Sequence, residues 1–387
     1  MSGQMRLATP LSSETTTADE DLLLVAIHEE RESFAQTQQV SPRIVDLMKR
    51  AGVYRMLVAK QFGGDEASPA QFLKLIERIS IADGSVGWVA SFGVSAMYLA
   101  SLPIATLETI YAEGPDVIFA GGLFPPQPAR HAPGGLEISG RWKFGSGCTG
   151  ADLIGVGITL ADGKASPLPR MAVMPSGQVR IERNWDVIGL QGTGSHDLIV
   201  DKVVVPEGWT FIRGGSSSLD SPLYRYPSMA FAAQVLAVVG LGVARAALDE
   251  ISHMAGGRKS ITGAPVLADR AYVQTEVAKA EAALRSARAF FYEVTEDAYA
   301  DLVAGDALST DKIALLRLAS THIARVGADV ARMAYTLSGT TGIYAAHPLA
   351  RYAQDAMVVV QHAFLSEGTW QNAGRVLLGL ESAPGFP

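Results

Sequence analysis

The sequence predicts a mostly α-helical protein with a small β domain inserted between two helical parts, and three observations carry that prediction. Helical patterns occupy the chain up to about Pro115 and again from about Ser228 onward. Between about Val117 and Pro206 the pattern changes to short β-like runs separated by Gly, Pro and Asp. A chain of 387 residues, 48% hydrophobic and 18% charged, is also long and apolar enough to bury a core under two or three such units. The expected divisions are an N-terminal helical domain at 1–115, a central β domain at 116–212 and a C-terminal helical bundle at 213–387.

In the first part, Thr17 precedes an acidic stretch suited to a helix start, and Leu22, Leu23, Leu24 and Ile27 are read as one apolar face. Ser41-Pro42 and Ser68-Pro69 each pair a capping residue with a proline that fits the first helical turn. Gly52 closes the second helix and Gly63-Gly64 marks a turn. In the central part, Leu136–Phe144, Asp152–Leu160, Arg170–Met174 and Leu198–Val205 read as strands, and Phe119 to Pro126 as a loop. Gly214-Gly215-Ser216 links to helices expected at Ser228–Ala255, Pro265–Ala304 and Ser309–Leu337, with a last helix restarting at Pro348.

Composition excludes several function classes. A net charge of −7 offers no basic surface for nucleic acid. The single cysteine, Cys148, excludes a disulfide framework, and the histidines at 253, 322, 347 and 362 lack metal-binding spacing, so no metal is expected. The polar stretch from Ser12 to Asp21 has no signal-peptide pattern, which points to the cytoplasm. The apolar run from Met229 to Leu248 is interrupted by Gln234 and Arg245 and dominated by small residues, so it reads as a packed core helix rather than a membrane span. Ser195-His196-Asp197 is no triad, because neighbours on a strand face opposite ways.

From Thr336 to Gly379 the chain reads helix, glycine-rich turn, helix, with Gly339, Thr340, Thr341 and Gly342 in the turn and Pro348, Arg351, Asp355 and His362 after it. Such a turn frees backbone N–H groups to meet an anion. The order Gly339, Gly342, Pro348, Arg351, Asp355, Ala356 resembles the C-terminal end of the acyl-CoA dehydrogenase superfamily. The resemblance implies a fold of N-terminal helices, a central β-barrel or sandwich and a four-helix bundle. It also implies a homotetramer in which Gly339, Thr340 and Thr341 reach a neighbour's flavin, and an arginine, Arg258, for the flavin pyrophosphate. The run Asp83-Gly84-Ser85-Val86-Gly87-Trp88 is similar to the superfamily's helix start over the pocket, with core packing as the alternative for Trp88.

Phe144-Gly145-Ser146-Gly147-Cys148 resembles the reduced-flavin-dependent two-component monooxygenases that share this fold, as does Gly192-Thr193-Gly194-Ser195 leading to Val205-Pro206-Glu207. On that resemblance Phe144, Gly145, Ser146, Gly147, Thr193 and Ser195 bind flavin, with Ser146 beside N5. Trp88, Ser95, Gly121 and Gly122 line the substrate pocket. His362 and Ser146 are the catalytic pair, the histidine titrating near neutrality to handle a peroxide or substrate proton. The implied reaction uses reduced FAD, or FMN, and O2 through a C4a-peroxyflavin. It hydroxylates a small aromatic, indole-type before phenol, and a separate NAD(P)H-flavin reductase supplies the electrons.

Two other readings remain open. Glu367-Gly368-Thr369-x-Gln371 looks like the dehydrogenases' own catalytic motif, but Glu367 falls about one turn late and the Thr-Glu-Pro loop is absent, so an acyl-CoA dehydrogenase is the first alternative. A catalytically silent flavin-fold binding subunit is the second.

Overall fold

The structure, a computed structural model, describes residues 17–160, 169–256, 265–383 and 386. Six helices come first: α1 (Ala18–Thr37), α2 (Pro42–Arg50), α3 (Pro69–Ala82), α4 (Gly84–Ser91), α5 (Ser95–Leu99) and α6 (Ile104–Ile110). Their starts are fixed as the capping residues predict. Thr17 Oγ1 accepts from Glu20 N–H, Ser41 Oγ from Ile44 N–H, and Ser68 with Gln71 forms a reciprocal capping box. Asp83 closes α3 and caps α4 through the Ser85 and Val86 N–H groups. One expectation fails here. Leu23 is fully buried but Leu22 is half exposed, because three consecutive helical residues fan over some 200° and cannot share a face.

A single seven-stranded sheet follows, built from β1 (Phe119–Ala132), β2 (Gly135–Gly145), β3 (Leu153–Leu160), β4 (Arg170–Pro175), β5 (Arg180–Glu182), β6 (His196–Val205) and β7 (Thr210–Ile212). Its order is β5-β6-β2-β1-β3-β4-β7, with β1 and β3 parallel and the other neighbours antiparallel. The four strands read from sequence are present, but β1 corrects the loop expected at Phe119 to Pro126, and β5 and β7 went unread. Prolines 125 and 126 sit where the β1–β3 pairing is interrupted, between Gly122 and Gln127, so their missing N–H groups break no ladder bond. Gly121 and Gly122 are required by packing: an added Cβ would lie 2.4 Å from Gly155 O at the first and 2.8 Å from Trp142 Cβ at the second. β5 and β7, three residues each, are too short for a periodic signal.

The remaining helices are α7 (Pro222–Arg225), α8 (Ser228–Ala255), α9 (Ala271–Ala304), α10 (Thr310–Leu337), α11 (Pro348–Val359) and α12 (Glu367–Leu377). α8 is the centre of the bundle, packed on α3, α10 and α11. It is long and apolar enough to cross a membrane, but 94% of its apolar window is buried inside the protein. Its small residues are what allow this. An added Cβ at Gly242 would lie 2.5 Å from Ser80 Cβ. The polar side chains inside it have partners: Gln234 accepts from Tyr226 Oη and donates to Thr295 Oγ1, and Arg245 pairs with Asp249 and Glu281 through its two terminal nitrogens. His362 lies outside the helix that the sequence placed it on. α11 ends at Val359, and His362 is extended backbone capping a short 3₁₀ turn at Ala363–Leu365.

Candidate active site

Five polar groups from three segments form one buried hydrogen-bonded chain. Trp88 Nε1 on α4 donates to Ser146 Oγ at 3.2 Å. Ser146 Oγ lies 2.6 Å from Ser195 Oγ, Ser195 Oγ 2.7 Å from Thr193 Oγ1, and Thr193 Oγ1 donates to Leu190 O at 2.9 Å. The ends fix the direction. An indole nitrogen can only donate and a carbonyl can only accept, so Thr193's proton is committed to Leu190, Ser195's to Thr193 and Ser146's to Ser195. With every bond made, Ser146 retains a lone pair and has no proton to offer.

The segments carrying these groups are held by backbone geometry. The last but one residue of β2 is Phe144, whose φ of +63° is unusual for a non-glycine residue, and Gly147 follows at +73°. Gly147 N–H donates to Thr193 O, which joins the end of β2 to the turn before β6. That turn is pinned twice more, by Leu190 N–H to Asp355 Oδ1 and by Gly192 N–H to Ser85 Oγ. Phe144 itself is 65% exposed and meets Trp185 edge-on at 6.3 Å between ring centres. Gly145 is buried against Leu198 and His196 O. His196 Nδ1 accepts from the Asn184 and Trp185 N–H groups while Asp197 pairs with Arg141, so Ser195, His196 and Asp197 go separate ways.

His362 stands over this cluster, its ring 6.0 Å from that of Trp88 and 5.1 Å from Phe364. Its Nδ1 accepts from Phe364 N–H at 3.2 Å, which leaves Nε2 as the protonated, donating nitrogen of the neutral ring. Burial, then the positive charges of Arg213 and Arg317, push its pKa down to about 4. The expectation of a histidine titrating near neutrality is therefore corrected. His362 is a neutral N–H donor at physiological pH.

Other sequence-predicted residues lie elsewhere. Ser95 opens α5 and is buried. Gly339, Thr340 and Thr341 form an exposed 3₁₀ turn after α10, joined to the Ser146 cluster by no hydrogen bond, ion pair or ring contact among the described residues. Arg258 falls outside the described residues. Glu367 begins α12 with its side chain 81% exposed and paired with Arg325. Sequence reading missed Ser85, Arg213 and Arg317. Ser85 lay inside a motif noticed for its tryptophan, Arg213 beside a glycine pair taken for a linker, and Arg317 within a helical pattern.

The chemistry of this donor set suits a flavin edge: a buried hydroxyl with a free lone pair, an exposed strained aromatic beside it, and left-handed glycines that keep the backbone open. Helices before and after one seven-stranded sheet, with this donor set where α4 meets the end of β2, define the acyl-CoA dehydrogenase type of flavoprotein. Residues 234–367 match the model of the acyl-CoA dehydrogenase C-terminal domain. The chain is 59% identical to an indole-3-acetate monooxygenase of Pseudomonas putida, over 91% of each chain. It is 26% identical to an FADH(2)-dependent resorcinol hydroxylase, oxygenase component, of a Rhizobium species, again over 91% of each. In fold it matches the 3-HSA hydroxylase of Rhodococcus sp. RHA1 with a TM-score of 0.89 at 24% identity, over 96% of this chain and 98% of that one. The chain belongs to the family of reduced-flavin-dependent two-component monooxygenases, as an oxygenase component that hydroxylates an aromatic substrate. Its cofactor is a reduced flavin delivered by a separate reductase, and O2 is its co-substrate.

Proposed function

We propose that the substrate is an indole carrying a short side chain, indole-3-acetate first among them, and that Trp88, Ser146, Ser195, Thr193 and His362 form the reaction site. The 59% identical relative supports the substrate class, and the directed hydrogen-bond chain carries the assignment of roles. When bound, the reduced flavin supplies two electrons to O2, so that one oxygen atom enters the ring and the other leaves as water.

The protein's own residues do the rest. Ser146, its proton committed to Ser195, would accept from the N5–H of a reduced flavin, which oxidised flavin lacks. Phe144, Gly145 and Gly147 would hold the same edge. Trp88 and the buried face of α4 exclude water, which would otherwise release hydrogen peroxide unproductively. His362 Nε2–H would donate a hydrogen bond to an oxygen atom at the site, without having to change charge. Gly121 and Gly122 keep β1 close to β2 and β3 beneath the pocket, and Ser95 borders it.

Several finer readings belong to the same proposal. The flavin is FAD in preference to FMN, and Arg258 meets its pyrophosphate. The protein works as a cytoplasmic homotetramer, without membrane or nucleic acid, and Gly339, Thr340 and Thr341 approach a neighbour's flavin; the exposed Ile343 and Tyr344 beside them support a covered surface there. The divisions 1–115, 116–212 and 213–387 are its domains. The test is turnover: with a generic flavin reductase, NADH and FAD, indole-3-acetate should gain one oxygen atom in step with NADH and O2 consumption. Peroxide formation with unaltered indole-3-acetate and other indoles would overturn the substrate class.

A further inference from the structure

Two buried guanidiniums, Arg213 and Arg317, disfavour a charge on His362, and neither forms an ion pair among the described residues. Arg213, 8% exposed, follows β7 and lies 3.2 Å over the ring of Tyr98 on α5. Its Nη1 has no hydrogen-bond partner among the described residues. Arg317, 6% exposed on α10, stands 5.5 Å from the ring of Phe364 and 5.2 Å from that of Phe386, and its Nε is likewise without a partner. No aspartate or glutamate among the described residues forms an ion pair with either. The contrast inside the same molecule is informative. Arg245 is paired with Glu281 and Asp249, and Arg288 with Glu77. A buried cation left unpaired is costly, and aromatic faces offset only part of the lost hydration.

The two cations differ in their support. Arg317 leans on rings from the C-terminal segment. Arg213 is fixed against α5: Tyr98 lies one turn after Ser95, and the segment after Arg213 is tied to the end of that helix by Ser218 N–H and Ser217 Oγ, both bonded to Ala100 O. The Tyr98 face holds the guanidinium plane, and the buried Nη1 is the N–H group without a partner among the described residues. A planar fork of that kind suits a carboxylate better than any neutral group.

We propose that Arg213, stacked on Tyr98, binds the carboxylate of the aromatic substrate, and that Arg317 adds a second positive charge favouring an anionic over a neutral ring compound. This rests on the indole-type reading above and sharpens it to arylacetates. It also gives the unpaired cations a purpose that folding alone does not.

The test compares indole-3-acetate with 3-methylindole, the same ring system without the carboxylate, by equilibrium dialysis against the protein and by kcat/KM with reduced FAD supplied. Wild type should bind the acid more tightly. Arg213→Gln should weaken indole-3-acetate by about 100-fold, chiefly in Kd and KM, and 3-methylindole by less than about threefold, while Arg213→Lys recovers about tenfold of the loss. Equal weakening of both compounds, no weakening of either, or wild type binding the two equally would overturn the proposal. So would Arg317→Gln alone reproducing the whole loss. If Arg213→Gln does not fold, the charge-keeping lysine variant decides: a KM increase confined to the acid supports the role, and an equal increase for both removes it. Tight, Arg213-dependent binding of the acid without its oxidation would sink the proposed substrate of the reaction and leave the anion site standing.

Discussion

Leu190 N–H donates to Asp355 Oδ1 at 2.6 Å, tying the turn that carries Thr193 and Ser195 to helix α11, far along the chain. Asp355 is fully enclosed. Burial, then the nearby charge of Asp83, raise its pKa to about 7, against the pull of the Leu190 N–H and Arg351 in the other direction. In the unfolded chain it would titrate near 3.9. Between those values the folded state holds a proton that the unfolded state has released. The stabilisation from that proton is complete below about pH 4 and is lost as pH rises through 7. Asp355→Asn keeps an acceptor for Leu190 and removes the titration. Its melting temperature should fall less than that of wild type between pH 5 and 8. A variant destabilised equally at every pH would mean that Asp355 works as a permanent anion for Arg351.

His362 gives the opposite sign. Its pKa is lowered to about 4, while an unfolded histidine titrates near 6.5, so its contribution is intact above 6.5 and stability falls as pH drops from there toward 4. For activity, kcat/KM should stay level down to about pH 5. A limb at 6 to 7 that vanishes in His362→Gln would show that the ring charges during turnover. His362→Ala should lower kcat by about 10- to 100-fold through loss of one hydrogen-bond donor.

The committed proton of Ser146 predicts a redox preference. Wild type should bind reduced FAD more tightly than oxidised FAD, measured anaerobically by titration. Ser195→Ala removes the acceptor of Ser146's proton, freeing it to donate to oxidised flavin, and the ratio of affinities should narrow by about fivefold to tenfold. An unchanged ratio would refute the direction of the chain.

Gly121→Ala tests whether the glycine pair is structural. The new methyl would collide with Gly155 O, 2.4 Å away, and the strands would have to part. Chemical denaturation should show a loss of about 1 to 3 kcal/mol. Unchanged stability would mean that β1 has slack and that the glycine serves the pocket alone.

Glu367→Gln separates the family's two chemistries. The residue is solvent-exposed and, among the described residues, paired with Arg325, a kind of surface contact worth little. Hydroxylation should stay within about twofold of wild type. A hundredfold loss would assign Glu367 a role in the reaction that its position in the single chain does not suggest.

Sequence alone determined what local chemistry controls. Capping residues such as Thr17, Ser41 and Ser68, the apolar helix at Met229–Leu248 and the alternating strands announce themselves through neighbours three or two positions apart, and Phe144–Cys148 carries a recognisable pattern. Tertiary structure decided what depends on partners distant in sequence. β1 looked like a loop because its glycines and prolines have strand meaning only once β2 and β3 lie beside them. His362 looked helical by spacing, yet the chain turns after Val359 and its ring becomes a buried neutral donor. Serines 146 and 195, 49 positions apart, gain a direction of proton donation only when Trp88 and Leu190 O bracket them. Arg213 was an ordinary cation before a linker until folding buried it against Tyr98 with no ion pair among the described residues, since burial and the lack of a paired counter-charge are properties of a whole neighbourhood.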